Sequence, residues 1–259
     1  MRIFVAGASG VVGRQLVPLL VDAGYEVVGT ATSPQKLEML RALGVQPVVL
    51  DLLDAEAVGR AVSEVEPEVV VHEATALSGI GGSFRRFDET FAREGAAVKA
   101  EDAALDPAPA RNARETIAAI RYLEERVVAA KELDGIVLRY GGLYGPGTSF
   151  AEDGESLEAI RKRAFPIVGD GRGLASFIHV EDAARATFAA IERGRRGIYN
   201  VVDDDPAPVS AWLPYAANVV GAKPPRHVPL DEIARVPVTC HRRRVDLVSE
   251  DEPNERSKP

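Results

Sequence analysis

The chain has 259 residues, with 31 Lys and Arg against 39 Asp and Glu and a formal net charge of −8. Hydrophobic residues make up 46% and charged residues 27%, a soluble globular composition long enough to bury a sizeable core. No apolar run reaches the ~20 residues of a membrane-spanning helix. An acidic chain is a poor general binder of nucleic acid, which needs a basic face. The single cysteine, Cys240, excludes an internal disulfide framework and a Cys-rich metal centre.

The opening run MRIFVAGASG has no separate signal-peptide hydrophobic region or cleavage site. A cytoplasmic protein is therefore expected, with a small ligand or a protein partner. Residues 3–6 read as a buried strand that ends in the turn Gly7-Ala8-Ser9-Gly10-Val11-Val12-Gly13. Leu16, Leu19 and Leu20 then recur at helical spacing, with Pro18 among them as a local conflict and Gly24 at the helix end. Val27-Val28 is a second strand. Ser33 and Pro34 are expected to open the next helix, with Ser33 as N-cap. Residues 48–50 form a third strand before Asp51. Asp54 caps a third helix with Ala57, Val58, Ala61, Val62 and Val65 on its inner face, and residues 69–71 form a fourth strand. Strand alternating with helix at this spacing, with continuous Val runs, predicts a parallel sheet covered on both faces.

The order breaks between residues 77 and 110, which hold no strand-like run. A helix is expected over 115–130, a strand over 136–138, and a Gly-rich turn over 141–147. Further helices are expected over 157–163, 181–192 and 212–220, with extended pieces over 177–180 and 198–202. The last stretch is polar and reads as a mobile tail.

A Gly7-x-x-Gly10-x-x-Gly13 turn between a first strand and a first helix is a pyrophosphate cradle. The first glycine permits the turn, the second admits a close phosphate, and the third lets helix and strand pack. With Ala8 and Ser9 between the first two glycines, it resembles the extended and atypical short-chain dehydrogenase/reductases, in particular the NAD-dependent epimerase/dehydratase-like group. The segments 50–52, 71–76, 138–147, 177–184 and 198–201 are similar to that family's, in the same order.

The resemblance implies an α/β fold, a Rossmann-like doubly wound parallel sheet with a small C-terminal substrate lobe. The cofactor domain would take residues 1–150 and 176–200, the lobe 151–175 and 201–235, and the tail 236–259. It implies an oxidoreductase or epimerase acting on an unidentified small molecule. Gly7, Ser9, Gly10, Val11, Val12 and Gly13 would hold the pyrophosphate, and Asp51 and Leu52 the adenine side. Ala74, Thr75, Gly142 and Leu143 would flank ribose and nicotinamide. The second strand ends at Thr32 and Ser33, with Lys36 beyond and no carboxylate to repel a 2′-phosphate. NADP is therefore favoured over NAD.

Two family features are missing. The Tyr-x-x-x-Lys pair falls at Thr116 and Ile120, which cannot transfer protons. Tyr122 and Arg126 share a helix face but stand out of register, so no catalytic residue is named. About one βα unit is also absent after the fourth strand, so the sheet either closes around a shortened crossover or carries a gap. A cofactor-binding sensor without catalysis is the alternative reading, and an unfilled sheet edge suggests a homo-oligomer. The remaining candidates have plainer readings. His179 is expected to cap a helix or pack, and His72 and Glu73 point to opposite faces of their strand. Asp203-Asp204-Asp205 reads as an exposed turn rather than a metal site.

Overall fold

The computed structural model describes residues 1–74, 98–109, 114–229 and 240–241. The first half alternates β1 (Arg2–Ala6), α1 (Gly13–Asp22), β2 (Glu26–Ala31), α2 (Gln35–Ala42), β3 (Gln46–Val49), α3 (Ala55–Val65) and β4 (Val69–His72). A short β5 (Val98–Lys99) and the long α4 (Arg114–Ala129) follow. Then come β6 (Ile136–Tyr140), β7 (Gly142–Tyr144), α5 (Glu155–Arg161), β8 (Ile167–Val168), β9 (Leu174–Ala175) and β10 (Phe177–His179). The described chain ends with α6 (Val180–Arg193), β11 (Gly197–Val201), β12 (Ala207–Pro208), α7 (Val209–Val219), β13 (His227–Val228) and β14 (Cys240–His241).

The first four strands form one parallel sheet in the order β3-β2-β1-β4. This is the doubly wound arrangement expected from the alternating elements. One face of the sheet is covered by α1 and α6. There Ile3, Val5 and Val71 pack with Leu16, Val17, Val180, Ala183 and Ala184. The other face is covered by α3, whose Ala57, Val58, Ala61, Val62 and Val65 meet Phe4, Ala6 and Val28. Asp54 caps α3 as the sequence requires, accepting from the Ala57 N–H at 3.0 Å.

Among the described residues β4 and β6 share no ladder; β6 pairs in parallel with β11 as a separate sheet, and β7 pairs with β10. Helices link the two sheets: α1 packs on β2 and on α6, and α6 packs on β6 and β7. On the opposite face α4 is fastened to β6 by a buried pair. Arg139 Nε and Nη2 donate to the two oxygens of Glu124 at 2.6 and 2.7 Å, and Nη1 donates to the Glu101 carbonyl.

A second apolar cluster joins α5, α7 and β8 through Ile160, Ile167, Leu213 and Ala217, with Phe150, Phe165 and Trp212 packed against it. Two residues of the expected tail, Cys240 and His241, pair in parallel with Val98 and Lys99. The rest of the tail and residues 75–97 lie outside the described residues.

One capping expectation is corrected. The N-cap of α2 is Pro34, with no side-chain cap bond, so the Ser33 hydroxyl does not cap that helix. Pro34 already has helical dihedrals, which moves the boundary one residue beyond the serine. His179 is the N-cap of α6 by position only; its side chain makes no cap bond and its ring packs on Tyr144 instead.

Candidate functional site

The glycine turn sits at the carboxyl end of β1, where the strand order reverses between β1 and β4. Gly7 adopts φ +93°, a conformation only glycine takes without strain. Its N–H donates to Thr30 Oγ1 at 2.9 Å, which ties the turn to β2. A Cβ on Gly7 would lie 2.8 Å from the Ala74 nitrogen and 2.9 Å from the Glu73 carbonyl carbon. A Cβ on Gly13 would lie 2.3 Å from the Gly7 oxygen. Gly10 N–H closes the turn on Gly7 O at 2.8 Å. The first turn of α1 has no side-chain cap and no acidic residue. Ser9, Gly10 and Val11 remain partly open to solvent while Val12 and Gly13 are buried. A cradle that leaves no room for side chains, at a helix start without a carboxylate, suits an anionic group.

The other sequence candidates lie on the strands and the segments that follow them. Thr32 and Ser33 follow β2; Thr32 is exposed and Ser33 half-buried. Asp51 follows β3, exposed, with its carboxylate accepting from the Leu53 N–H at 2.9 Å; Leu52 beside it is half-buried. Ala74 abuts Gly7 after β4. Gly142 and Leu143 lie in β7, and a Cβ on Gly142 would press on the Phe177 ring at 3.2 Å. Thr75 lies outside the described residues. Helix α4 carries Thr116 and Tyr122 exposed and Ile120 half-buried, so the positions of the family's proton-transfer pair offer no acid or base.

Two groups of side chains were not found by sequence reasoning. The first is Tyr144, at the end of β7, whose hydroxyl is hydrogen-bonded to Asp203. Its ring meets His179 edge-on at 5.1 Å between centroids. Partial burial and the Asp203 charge push the Tyr144 phenol up, and burial pushes Asp203 up in turn. Asp203 is thus not a freely solvated turn residue like Asp204 and Asp205.

The second group is Glu73, Tyr140 and Thr187. Tyr140 Oη donates to Glu73 Oε1 at 3.0 Å and lies 2.5 Å from Thr187 Oγ1. Burial raises the Glu73 carboxyl from 4.5 to about 7, against the pull of its hydrogen bonds to Tyr140 and Thr187. Burial and the Glu73 charge hold the Tyr140 phenol well above its ordinary value. The sequence signal was present: Val69, Val71 and Glu73 alternate onto the inward face.

The sheet order, with a glycine turn at its reversal point, defines a Rossmann-like α/β protein. The chain belongs to the NAD dependent epimerase/dehydratase family, whose profile matches residues 3–100 and 113–202. It is 37% identical to a 3-diazoavenalumate denitrifying reductase from a Streptomyces species, over 88% of this chain and 84% of the relative. It is 27% identical to a 4-hydroxy-2-methyl-3-oxo-4-farnesyl-3,4-dihydroquinoline-1-oxide ketoreductase from Stigmatella aurantiaca, over 86% of this chain and 74% of the relative. Among solved structures, dTDP-glucose 4,6-dehydratase from Bacillus anthracis in complex with NAD shares the fold. Its TM-score is 0.68 at 17% identity, over 93% of this chain and 88% of that one. Among the described residues no helix is long and apolar enough to cross a membrane, and no cluster of His, Cys, Asp or Glu is arranged to hold a metal.

Proposed function

We propose that the protein is a nicotinamide-dinucleotide-dependent reductase of a small molecule, taking NADP in preference to NAD. The observation that carries the reading is the glycine cradle, in which Cβ atoms on Gly7 and Gly13 would strike backbone on every side. Gly7, Ser9, Gly10, Val11, Val12 and Gly13 would hold the pyrophosphate, and Asp51 and Leu52 the adenine side. Thr32 and Ser33 would face the adenosine ribose. Ala74, Thr75, Gly142 and Leu143 would flank the second ribose and the nicotinamide. When bound, the dinucleotide supplies hydride. The protein's part is to bind and orient it and to exclude water. Reduction is favoured over epimerisation because three relatives matched over roughly three quarters or more of their length are reductases by name. NADP is favoured by the absence of a carboxylate after β2 and by the exposed Lys36 in α2. The apolar cluster around Leu213 and Trp212 would form the substrate lobe.

One observation favours a second reading, a cofactor-binding protein without turnover: α4 presents Thr116 and Ile120 where the family carries tyrosine and lysine. Calorimetric titration with NADPH and NADH, followed by a screen of carbonyl and aryl-diazo compounds, separates the two. Binding with oxidation of NADPH on any acceptor supports the reductase. Binding without turnover leaves the sensor, and no binding removes both.

A further inference from the structure

The end of β4 faces two structures at once. On its backbone side, Glu73 and Ala74 close on Gly7 with no space for a methyl group between them. Glu73 N–H also donates to Ala6 O at 2.8 Å, so this backbone continues the β1 ladder into the glycine turn. On its side-chain side, Glu73 reaches across the interrupted sheet to Tyr140 at the end of β6. Thr187 of α6 meets both of them and donates to Ala183 O at 2.9 Å. We propose that Glu73 is a positioning residue of the dinucleotide site. Held by Tyr140 and Thr187, it fixes the β4 terminus against the glycine turn, and its ionisation loosens that hold. The proposal rests on the dinucleotide reading above.

Burial gives the direction. The hydrogen bonds from Tyr140 and Thr187 favour the carboxylate, but loss of water around the charge outweighs them, so the neutral carboxyl is the form that rests in place. An unneutralised charge in this half-dry gap draws the carboxylate towards water and with it the strand end. The same negative charge, one residue from the backbone under Gly7, also opposes an anionic ligand there. Among the described residues the groups facing the carboxyl are Tyr140 from β6 and Thr187 from α6, both neutral hydroxyls. His72, its neighbour, is exposed on the other face of β4.

The test is the dissociation constant for NADH, whose pyrophosphate keeps its charge throughout, measured from about pH 6 to about pH 8.5 on the wild type, Glu73→Gln and Tyr140→Phe. The expected result is a wild-type affinity that weakens about fivefold or more as pH rises through neutrality, with Glu73→Gln nearly flat. Tyr140→Phe, having lost a bond that favours the ionised form, moves the midpoint upward. A merely structural tyrosine would not move it. Binding with the same pH profile in wild type and Glu73→Gln overturns the proposal and leaves the dinucleotide reading intact. Absence of NADH and NADPH binding in all three folded proteins overturns both.

Discussion

Tyr140 on β6 donates a 3.0 Å hydrogen bond to Glu73 at the end of β4, and so joins two strands that share no ladder among the described residues. The bond spans 67 positions of sequence. It has a consequence for the protein alone, without ligand. The Glu73 carboxyl is raised from 4.5 to about 7 by burial. The folded protein therefore keeps a proton that the unfolded chain gives up. The associated stability is fully present below about pH 4.5 and is lost as pH rises through about 7. Thermal melts of the ligand-free protein should show the wild type losing several degrees relative to Glu73→Gln between about pH 5 and about pH 8. Parallel melting curves across that window would refute the titration.

The glycine turn gives a backbone prediction. Gly13→Ala would set a methyl group 2.3 Å from the Gly7 oxygen and 2.8 Å from Ala8 atoms. Since all of these are backbone atoms, helix α1 must shift. A loss of about 2 kcal/mol or more in denaturant unfolding is expected, with dinucleotide binding abolished. Gly24→Ala is the control: it also has positive φ, but nothing lies within 4 Å of its Cβ. It should cost about 1 kcal/mol and leave binding unchanged.

Arg139 and Glu124 make the bidentate pair that fastens α4 to β6. Both side chains are nearly closed to solvent, at 12% and 8%. Glu124→Ala removes the carboxylate that neutralises the buried Arg139 guanidinium and should lower stability by about 3–5 kcal/mol. The double change Arg139→Met with Glu124→Leu should recover much of that in urea unfolding, because it leaves no buried charge.

Lys36 tests the coenzyme preference. It is exposed in the first turn of α2, close to Thr32 and Ser33. Lys36→Glu is expected to raise the NADPH dissociation constant about tenfold, equal to roughly 1.4 kcal/mol, while leaving NADH within about twofold. Equal effects on both dinucleotides would remove Lys36 from the discrimination.

Much of this fold was legible because local sequence dictated it. The glycine turn, the Asp54 cap and the inner face of α3 each depend on residues a few positions apart, so spacing alone reveals them. The reading of residues 77–110 as free of strand is corrected by β5, where Val98 and Lys99 pair with Cys240 and His241; a two-residue strand carries no pattern of its own to read. What stayed hidden was chemistry assembled by tertiary contact. Glu73 was set aside because His72 beside it faces the other way. That geometry is right, yet it says nothing about Tyr140 and Thr187, which the chain brings in from two later elements. Asp203 was hidden for the same reason, since only the pairing of β7 with β10 and the return of the chain after β11 place it beside Tyr144. The Ser33 cap failed on a one-residue boundary shift, which propensity cannot resolve.

The packing of α6 on α1 has a consequence of its own. Ala183 and Ala184 are fully buried where α6 meets α1, and Thr187 follows Ala183 one turn later on the face that reaches Tyr140. In an unbroken sheet the interstrand ladder dictates how far apart neighbouring strands stand. Here the thickness of two methyl groups does that instead. The distance between α6 and α1 is therefore set by side-chain size. A larger residue at Ala183 or Ala184 would push the two helices apart and carry β6 and β7 with α6, with every residue of the glycine turn left as it is.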